Sequence, residues 1–163
     1  MILFLDFDGV LHPDAVYLRG TRRIELRAAG ELFMWAPQLI EALATHHDIR
    51  IVLSTSWVRN LGYQKARKVL PAELGGRVIG ATWHSAMNQG WPDYIPWDHQ
   101  TRYEQIAAWL ARRLEHSPWL AIDDDAEGWP DCLHKHLVLT DPRCGLSAPE
   151  ALADLISKLQ LHG

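Results

Sequence analysis

Two carboxylates one residue apart open this sequence. Asp6 and Asp8 follow the apolar run Ile2–Leu5, and Gly9 ends the pattern. A continuous apolar run is typical of a strand buried on both faces of a parallel sheet, and ligands of open α/β folds bind just beyond the carboxyl ends of such strands. Two acidic groups this close repel one another unless a cation offsets their charge. The pair therefore predicts a metal-assisted carboxylate site.

Two later strands are predicted to end in polar residues as well. The Ser-Thr-Ser stretch 54–56 follows the apolar run 49–53, while Asp123 and Asp124 follow the run 119–122. In a parallel sheet all three ends meet at one edge, which brings together carboxylates for a hard cation such as Mg²⁺ and hydroxyls for an oxyanion. A phosphoryl group needs both. One carboxylate can attack phosphorus, and a second acid can protonate the leaving oxygen and then activate water.

Strand and helix patterns alternate along the chain, which predicts an α/β fold with a parallel sheet. Five strands are predicted, at 2–5, 49–53, 78–81, 119–122 and 136–139. Two short strands at 16–18 and 24–26 flank a turn and predict a hairpin flap near the site. The polar, tryptophan-rich loop 82–100 is long enough to be functional or mobile, and we expect it to help cover the site.

Helix start signals place four helices between these strands. Their predicted positions are from Pro37, over 60–70, from Thr101 and from Ser147. Proline suits the first helical position, and the last two starts are followed three residues on by a glutamate, which completes a capping box. The helix from Thr101 carries an apolar face that runs as far as Leu114.

Length and composition restrict the protein class. At 163 residues the chain is expected to form one domain, 1–163. Its net charge of −4 argues against broad non-specific nucleic-acid binding. No apolar stretch is long enough to span a bilayer, and the first residues lack a signal-peptide pattern. With two cysteines, Cys132 and Cys144, a reduced chain is the simplest interpretation. We expect a cytoplasmic protein that does not engage membranes.

The motifs resemble those of the haloacid dehalogenase (HAD) superfamily of phosphohydrolases. More narrowly, the chain is similar to the small HAD domain of Swiss Army Knife RNA repair proteins and its stand-alone bacterial relatives. The matching stretches are 5–13, 54–57 and 119–124, and the resemblance spans nearly the whole chain. It implies a Rossmann-like HAD fold with helices on both faces of a five-stranded parallel sheet, in the order 5-4-1-2-3, and no large cap domain.

The resemblance also implies roles for the acidic residues. Asp6 is expected to be the nucleophile and a metal ligand. Asp8 is expected to be the general acid and base, and to offer its backbone carbonyl to Mg²⁺. Asp123 is expected to complete the metal shell, with Asp124 acting directly or through water. Mg²⁺ is the expected cofactor.

The remaining expected site residues bind the phosphoryl group. Thr55 is the expected partner of a phosphoryl oxygen, with Ser54 as the fallback, and Gly9 is expected to contact substrate. The family's usual lysine has no counterpart near the acidic cluster in this sequence. Arg102, at the start of the helix that leads into the fourth strand, is assigned that role. Arginine can supply charge and bidentate contacts to phosphate, although it is not equivalent to lysine.

Two functions remain open at this point. The first is a Mg²⁺-dependent phosphomonoesterase that works through an aspartyl phosphate on a phosphorylated small molecule or nucleotide. A nucleic-acid end could also enter, since a site without a large cap is open. The alternative is a non-catalytic phosphate- or metal-binding module that engages a protein partner, indicated by scattered, exposed-looking aromatics and by Arg102. A pure binder has no need of Asp8. The oligomeric state is left open.

Plainer interpretations of single motifs also remain. The acidic stretch 123–125 could be a solvated turn, and Arg102 could be a surface residue in a first helical turn. His12 could face substrate or simply occupy a turn. The Cys and His residues within 132–136 could suggest zinc, but no second ligand pair is evident, so zinc is disfavoured.

Overall fold

All five strands predicted for the central sheet are present, and they are parallel. They are β1 (Ile2–Leu5), β4 (Arg50–Leu53), β5 (Val78–Ala81), β6 (Trp119–Asp123) and β7 (Leu137–Leu139). Their order is β5-β4-β1-β6-β7. The labels β2 and β3 belong to two hairpin strands outside this sheet. When the five central strands alone are numbered along the chain, their order across the sheet is 5-4-1-2-3, as predicted.

The computed structural model describes residues 1–20, 23–88, 94–113 and 117–162. Part of the predicted covering loop, 89–93, and the predicted helix residue Leu114 lie outside these ranges. None of the helices within them is both long enough and apolar enough to cross a membrane.

The hairpin predicted between the first strand and the first helix is also present. Strands β2 (Val16–Arg19) and β3 (Arg23–Leu26) pair antiparallel as a separate two-stranded sheet. Among the described residues no larger insertion than this hairpin separates β1 from the next helix.

Helices cover both faces of the central sheet. They are α1 (Ala36–Ala42), α2 (Ser56–Leu61), α3 (Tyr63–Lys68), α4 (Ala72–Gly75), α5 (Arg102–Ala111) and α6 (Pro149–His162), with 3₁₀ turns at Ser85–Asn88, Pro96–His99, Asp131–His136 and Gly145–Ser147. Side chains alternate between the faces of a strand. In β1, Leu3 and Leu5 therefore pack in the core with α1 and α6, while Phe4 packs with Ile106 and Trp109 of α5. Because β1 is buried on both faces, its sequence is an unbroken apolar run.

Several predicted boundaries were wrong. One helix was expected over 60–70, but the structure has two, α2 from Ser56 and α3 from Tyr63. Gly62 separates them, because its φ of 89° does not continue a helix. The last helix begins at Pro149, and the Ser147 hydroxyl donates to the Cys144 carbonyl at 2.5 Å instead of capping it. Strand β7 begins one residue late because His136 ends a 3₁₀ turn.

Candidate active site

Asp6 is held in a fixed orientation at the carboxyl end of β1. Its main-chain N–H donates to the Ile122 carbonyl at 3.1 Å, which continues the pairing of β1 with β6. Its side chain is buried, its Oδ1 accepts a hydrogen bond from the Phe7 N–H at 2.7 Å, and the Thr55 hydroxyl also hydrogen-bonds the carboxylate. A buried carboxylate held from two sides is preorganised to serve as a nucleophile or metal ligand.

Three carboxylates converge at this edge of the sheet. Asp6, Asp123 and Asp124 each offer an oxygen, and these oxygens lie within 4.8 Å of one another. Asp123 is the last residue of β6 and is 1% exposed, whereas Asp124 is half-buried. The parallel sheet thus joins the first and fourth strand ends as predicted. The burial of Asp123 and the partial burial of Asp124 rule out a fully solvated turn, although Asp125 is exposed.

Burial raises the pKa of all three carboxyls. The pKa values of Asp6 and Asp123 lie above the usual range because burial penalises their charged forms, an effect that Arg102 opposes and neighbouring carboxylates increase. The pKa of Asp124 rises to about 7, again through burial first and repulsion from Asp6 second. Three carboxyls that resist ionising together are stabilised in their charged form by a divalent cation.

Arg102 is the cation that contacts this cluster. Its Nη2 lies 3.3 Å from Asp6 Oδ2, and its Nε lies 3.0 Å from Asp123 Oδ2. Burial by itself would lower the pKa of Arg102, but attraction to Asp6 and Asp123 outweighs it and raises that pKa. Its Nη1 donates to Gln105 Oε1 at 2.9 Å, which fixes the guanidinium further.

The start of α5 positions Arg102. The capping box predicted there is formed: the Thr101 N–H donates to Glu104 Oε2 at 2.8 Å, and the Glu104 N–H donates to Thr101 Oγ1 at 3.3 Å. A cation in the first turn opposes the helix dipole and is unfavourable without nearby anions. Arg102 is therefore not a plain surface residue, because the two carboxylates compensate its position.

The cluster fits an oxygen-preferring divalent cation. Asp123 Oδ2 is buried, and although it lies close to Arg102, the pair is not aligned as a hydrogen bond. That oxygen has no hydrogen-bond donor among the described residues. A buried carboxylate oxygen without a donor is available to a cation, and Mg²⁺ binds such oxygens together with water. Asp6, Asp123 and Asp124 would be the carboxylate ligands.

Asp8 stands beside the cluster, clamped by two N–H donors. Trp57 Nε1 donates to Asp8 Oδ2 at 2.9 Å, and His12 Nε2 lies 3.0 Å from Asp8 Oδ1. The Phe33 main-chain N–H donates to His12 Nδ1 at 3.2 Å, so Nδ1 is an acceptor and the ring proton lies on Nε2. His12 is fully buried. His12 therefore orients Asp8, whereas the sequence had left its role undecided. Trp57 also orients Asp8, and the sequence analysis had assigned it no role.

The two predicted hydroxyls lie in different surroundings. Thr55 caps α2 by accepting from the Trp57 N–H at 3.4 Å and also reaches Asp6. Ser54 Oγ is buried and has no hydrogen-bond partner in the described part of the chain. The structure thus brings Thr55, but not the Ser54 hydroxyl, into hydrogen-bond contact with the acidic cluster.

Gly9 lets the two acidic strand ends approach. Its φ is 69°, and a Cβ added there would overlap Asp124 Oδ2 and lie 2.8 Å from Asp124 Cβ. Its carbonyl accepts a hydrogen bond from the Thr140 hydroxyl at 2.7 Å. Gly9 thus has a packing role, while its contact with substrate stays a prediction.

Gly9→Ala is expected to lower the free energy of unfolding by about 2 kcal/mol or more, since it adds backbone strain and displaces Asp124. Gly62→Ala is the matched control, because Gly62 also has a positive φ but no atom within 4 Å of an added Cβ. It should cost about 1–3 kcal/mol from backbone strain alone, because its φ of 89° and ψ of 151° suit only glycine, and Gly9→Ala should cost more because it adds the overlap with Asp124. Urea denaturation of both variants measures the difference. Equal losses would contradict a packing role for Gly9.

The zinc interpretation receives no support. Within the described ranges, the Cys, His, Asp and Glu side chains close enough to share one ion are Asp6, Asp123 and Asp124. Both cysteines are free and exposed.

Comparison with known proteins gives one match. The family model described as the HAD domain in Swiss Army Knife RNA repair proteins matches residues 2–151, a span that includes every residue of the site described above. No curated protein and no solved structure shows a significant match.

Proposed function

The chain belongs to the family of HAD domains found in Swiss Army Knife RNA repair proteins, and from this membership we propose that it is a Mg²⁺-dependent phosphomonoester hydrolase. The observation that carries the proposal is the position of Asp6. Its carboxylate is buried, oriented by Phe7 and Thr55, and lies in contact with the Arg102 guanidinium. A nucleophile for phosphorus needs this orientation together with positive charge for the phosphoryl oxygens.

The reaction would proceed in two displacements. An Asp6 carboxylate oxygen forms a bond to phosphorus while the bond to the leaving oxygen breaks, and Asp8 gives that oxygen a proton. Asp8 then takes a proton from the water that attacks the aspartyl phosphate. This step releases inorganic phosphate and restores both carboxyl groups.

Arg102 and Thr55 would position the phosphoryl group. Arg102 has donors directed at the acidic cluster, and its planar group can bind two phosphoryl oxygens at once. The Thr55 hydroxyl hydrogen-bonds Asp6, and it would turn from this carboxylate to donate to a third phosphoryl oxygen when substrate is bound. Mg²⁺, held by Asp6, Asp123 and Asp124 with the Asp8 carbonyl, would supply further neutralisation of charge on the phosphoryl oxygens.

The proposal is tested by phosphate release. Purified protein with Mg²⁺ should hydrolyse p-nitrophenyl phosphate, and a chelator should stop the reaction. Absence of turnover on a broad phosphate panel, together with absence of Mg²⁺-dependent binding of a phosphate mimic, would contradict it. Oligonucleotides with a 3′- or 5′-phosphate, compared with mononucleotides, test whether nucleic-acid ends are substrates. That version rests on the family's description alone.

The alternative of a non-catalytic binding module has lost part of its basis. That part was a set of scattered, exposed-looking aromatics, but six of the tryptophans are buried: Trp35, Trp57, Trp83, Trp97, Trp109 and Trp129. Trp119 is half-buried, and Trp91 lies outside the described residues. The remaining basis is Arg102, which already neutralises part of the acidic cluster. Tight Mg²⁺ binding without turnover would favour this alternative.

Mg²⁺ is expected to raise the thermal unfolding midpoint more at about pH 8 than at about pH 6. At the lower pH, Asp124, with a pKa of about 7, holds a proton that Mg²⁺ must displace. Without Mg²⁺, stability should instead fall as pH rises from about 4 to 7, because raised folded-state pKa values favour the protonated folded form.

The measurement is differential scanning fluorimetry at both pH values, with Mg²⁺ and with EDTA. Asp124→Asn removes the titrating group and should reduce the difference between the two pH values. An equal Mg²⁺ effect at both pH values in the original protein would contradict this cation site.

Trp57→Phe is expected to lower kcat about tenfold with little change in KM, because Asp8 loses one of its two N–H donors while the ring is kept. Trp83→Phe is the matched control: Trp83 is equally buried, but its Nε1 has no hydrogen-bond partner among the described residues. Steady-state kinetics on an alkyl phosphate provide the measurement. Equal effects of the two substitutions would show that Trp57 contributes only packing.

A further inference from the structure

A slot opens between the β2–β3 hairpin and helix α2, with Asp8 on its wall. Its cavity volume is about 70 Å³, and part of the slot is open to solvent. Its apolar lining comes from Val16, Leu18 and Ile24 of the hairpin and from Trp57 and Leu61 of α2. This volume is smaller than the roughly 300–1,000 Å³ of pockets that enclose a whole drug-sized ligand, so the slot can hold only part of a small group, with the rest of that group in solvent.

The hairpin is amphipathic, and its apolar face forms the slot. Leu18 pairs directly with Ile24 in the antiparallel register, so both side chains lie on one face. Ile24 packs against the core, whereas Leu18 remains 46% exposed. On the other face, Arg19 forms an ion pair with Glu25 at 2.6 Å. Leu18 is therefore an apolar side chain aligned with the slot and only partly covered by protein.

Within the described part of the chain, the lining of the slot carries no positive charge. Besides the apolar residues and Tyr17, the described lining holds Ser56, Asn60 and Asp8, and neither Lys, Arg nor His is among them. An anionic group such as a second phosphate would meet the Asp8 carboxylate without a compensating cation. The slot thus suits a neutral, largely apolar group with one or two polar contacts.

Reaction geometry connects the slot to the leaving group. In-line attack by Asp6 places the leaving oxygen on the far side of phosphorus, and proton donation requires it within hydrogen-bond reach of Asp8. A group attached to that oxygen then lies next to Asp8. A larger open pocket is lined by Arg102, Asp125 and Glu127; it shares Ser56 with the slot, but Asp8 is not part of its lining.

We propose that the slot binds the leaving group, and that the preferred substrates are phosphomonoesters of neutral apolar or aromatic alcohols. This inference rests on the proposed hydrolase function. It assigns specificity to the hairpin, which supplies Leu18 and Ile24 to the slot.

The test compares benzyl phosphate with glycerol 1-phosphate in the presence of Mg²⁺. Both are alkyl esters of alcohols with similar acidity, so the ratio of their kcat/KM values reports recognition of the leaving group. We expect the kcat/KM for benzyl phosphate to be about tenfold higher or more, because partial burial of the aromatic ring in the slot stabilises its complex. Leu18→Asn should reduce this ratio at least threefold, and Leu18→Met should keep it. Glu25→Gln, on the outward face, is the control and should also keep it.

Binding of phosphonates separates failure of the slot from failure of the enzyme proposal. 2-Phenylethylphosphonate and ethylphosphonate carry a methylene in place of the leaving oxygen of benzyl phosphate and methyl phosphate, and they are not hydrolysed. If neither ester is hydrolysed but 2-phenylethylphosphonate binds at least threefold more tightly, and Leu18→Asn removes this preference, the slot stands and the hydrolase function fails. If both esters are hydrolysed at similar kcat/KM, or neither phosphonate is preferred, the slot proposal is overturned.

Discussion

Replacing Asp6 by asparagine is expected to abolish phosphate release, with kcat falling by about three orders of magnitude or more. The amide has the shape of the carboxylate but is not an effective nucleophile at phosphorus. Folding should be kept, because asparagine has the shape of aspartate, crowding among the three acidic groups falls, and Asp123 remains as an ion-pair partner of Arg102. Hydrolysis of p-nitrophenyl phosphate with Mg²⁺ measures the activity, and the thermal unfolding midpoint monitors the fold.

Asp131→Asn is the control for this substitution. Asp131 is exposed, in a 3₁₀ turn, and the same chemical change there should leave kcat unaltered. A chemical quench during turnover should trap covalent phosphate on the original protein and none on Asp6→Asn. Activity of the variant within tenfold of the original, or trapped phosphate on the variant, would exclude Asp6 as the nucleophile.

Arg102→Met is expected to lower kcat by about two to three orders of magnitude, the range seen when one preorganised donor to a developing charge is removed. Arg102→Lys should lose less than about tenfold, since an ammonium keeps the charge but not the bidentate geometry. Arg102 also opposes the rise in the pKa of Asp6 caused by burial. Without Arg102 that pKa rises further, so the ascending limb of the pH–rate profile should move to higher pH in Arg102→Met.

Arg112→Met provides the matched control at the other end of the same helix. Arg112 is the exposed C-cap residue of α5 and should tolerate the change without loss of kcat. Rates measured across pH for the three variants separate loss of charge from loss of geometry. If Arg102→Met retained the original kcat and pH profile, Arg102 would have no part in binding the phosphoryl group.

The acidic site was predictable because it lies at strand ends. The run Ile2–Leu5 is apolar on both faces, which identifies a central parallel strand and places Asp6 at the sheet edge. The same reasoning placed Asp123 at that edge, and the structure brings the two within reach of one ion. Arg102 was assigned by resemblance; the structure places it in contact with both carboxylates, while its role toward phosphate stays a prediction.

The breaks between helices were not predictable from pattern alone. Gly62 stands within an apolar periodicity that continues on both sides of it, and a glycine inside a helix differs from one at a break only in its φ. Ser147 has a glutamate at capping distance, yet its hydroxyl donates to Cys144. Local signals of this kind are weak because tertiary contacts often outweigh them.

By itself the sequence determined the parallel α/β sheet, the position of its central strand and the convergence of acidic residues at one edge. These follow from apolar runs and from the shared direction of parallel strands, both of which are local properties. Only the tertiary structure decided which side chains hold Asp8. His12 lies only four residues after Asp8, but Trp57, which donates to Asp8, and Phe33, which donates to His12, come from separate segments and meet them through packing, which no local pattern encodes. The slot beside Asp8 is decided in the same way, because it exists only where the hairpin and α2 face each other.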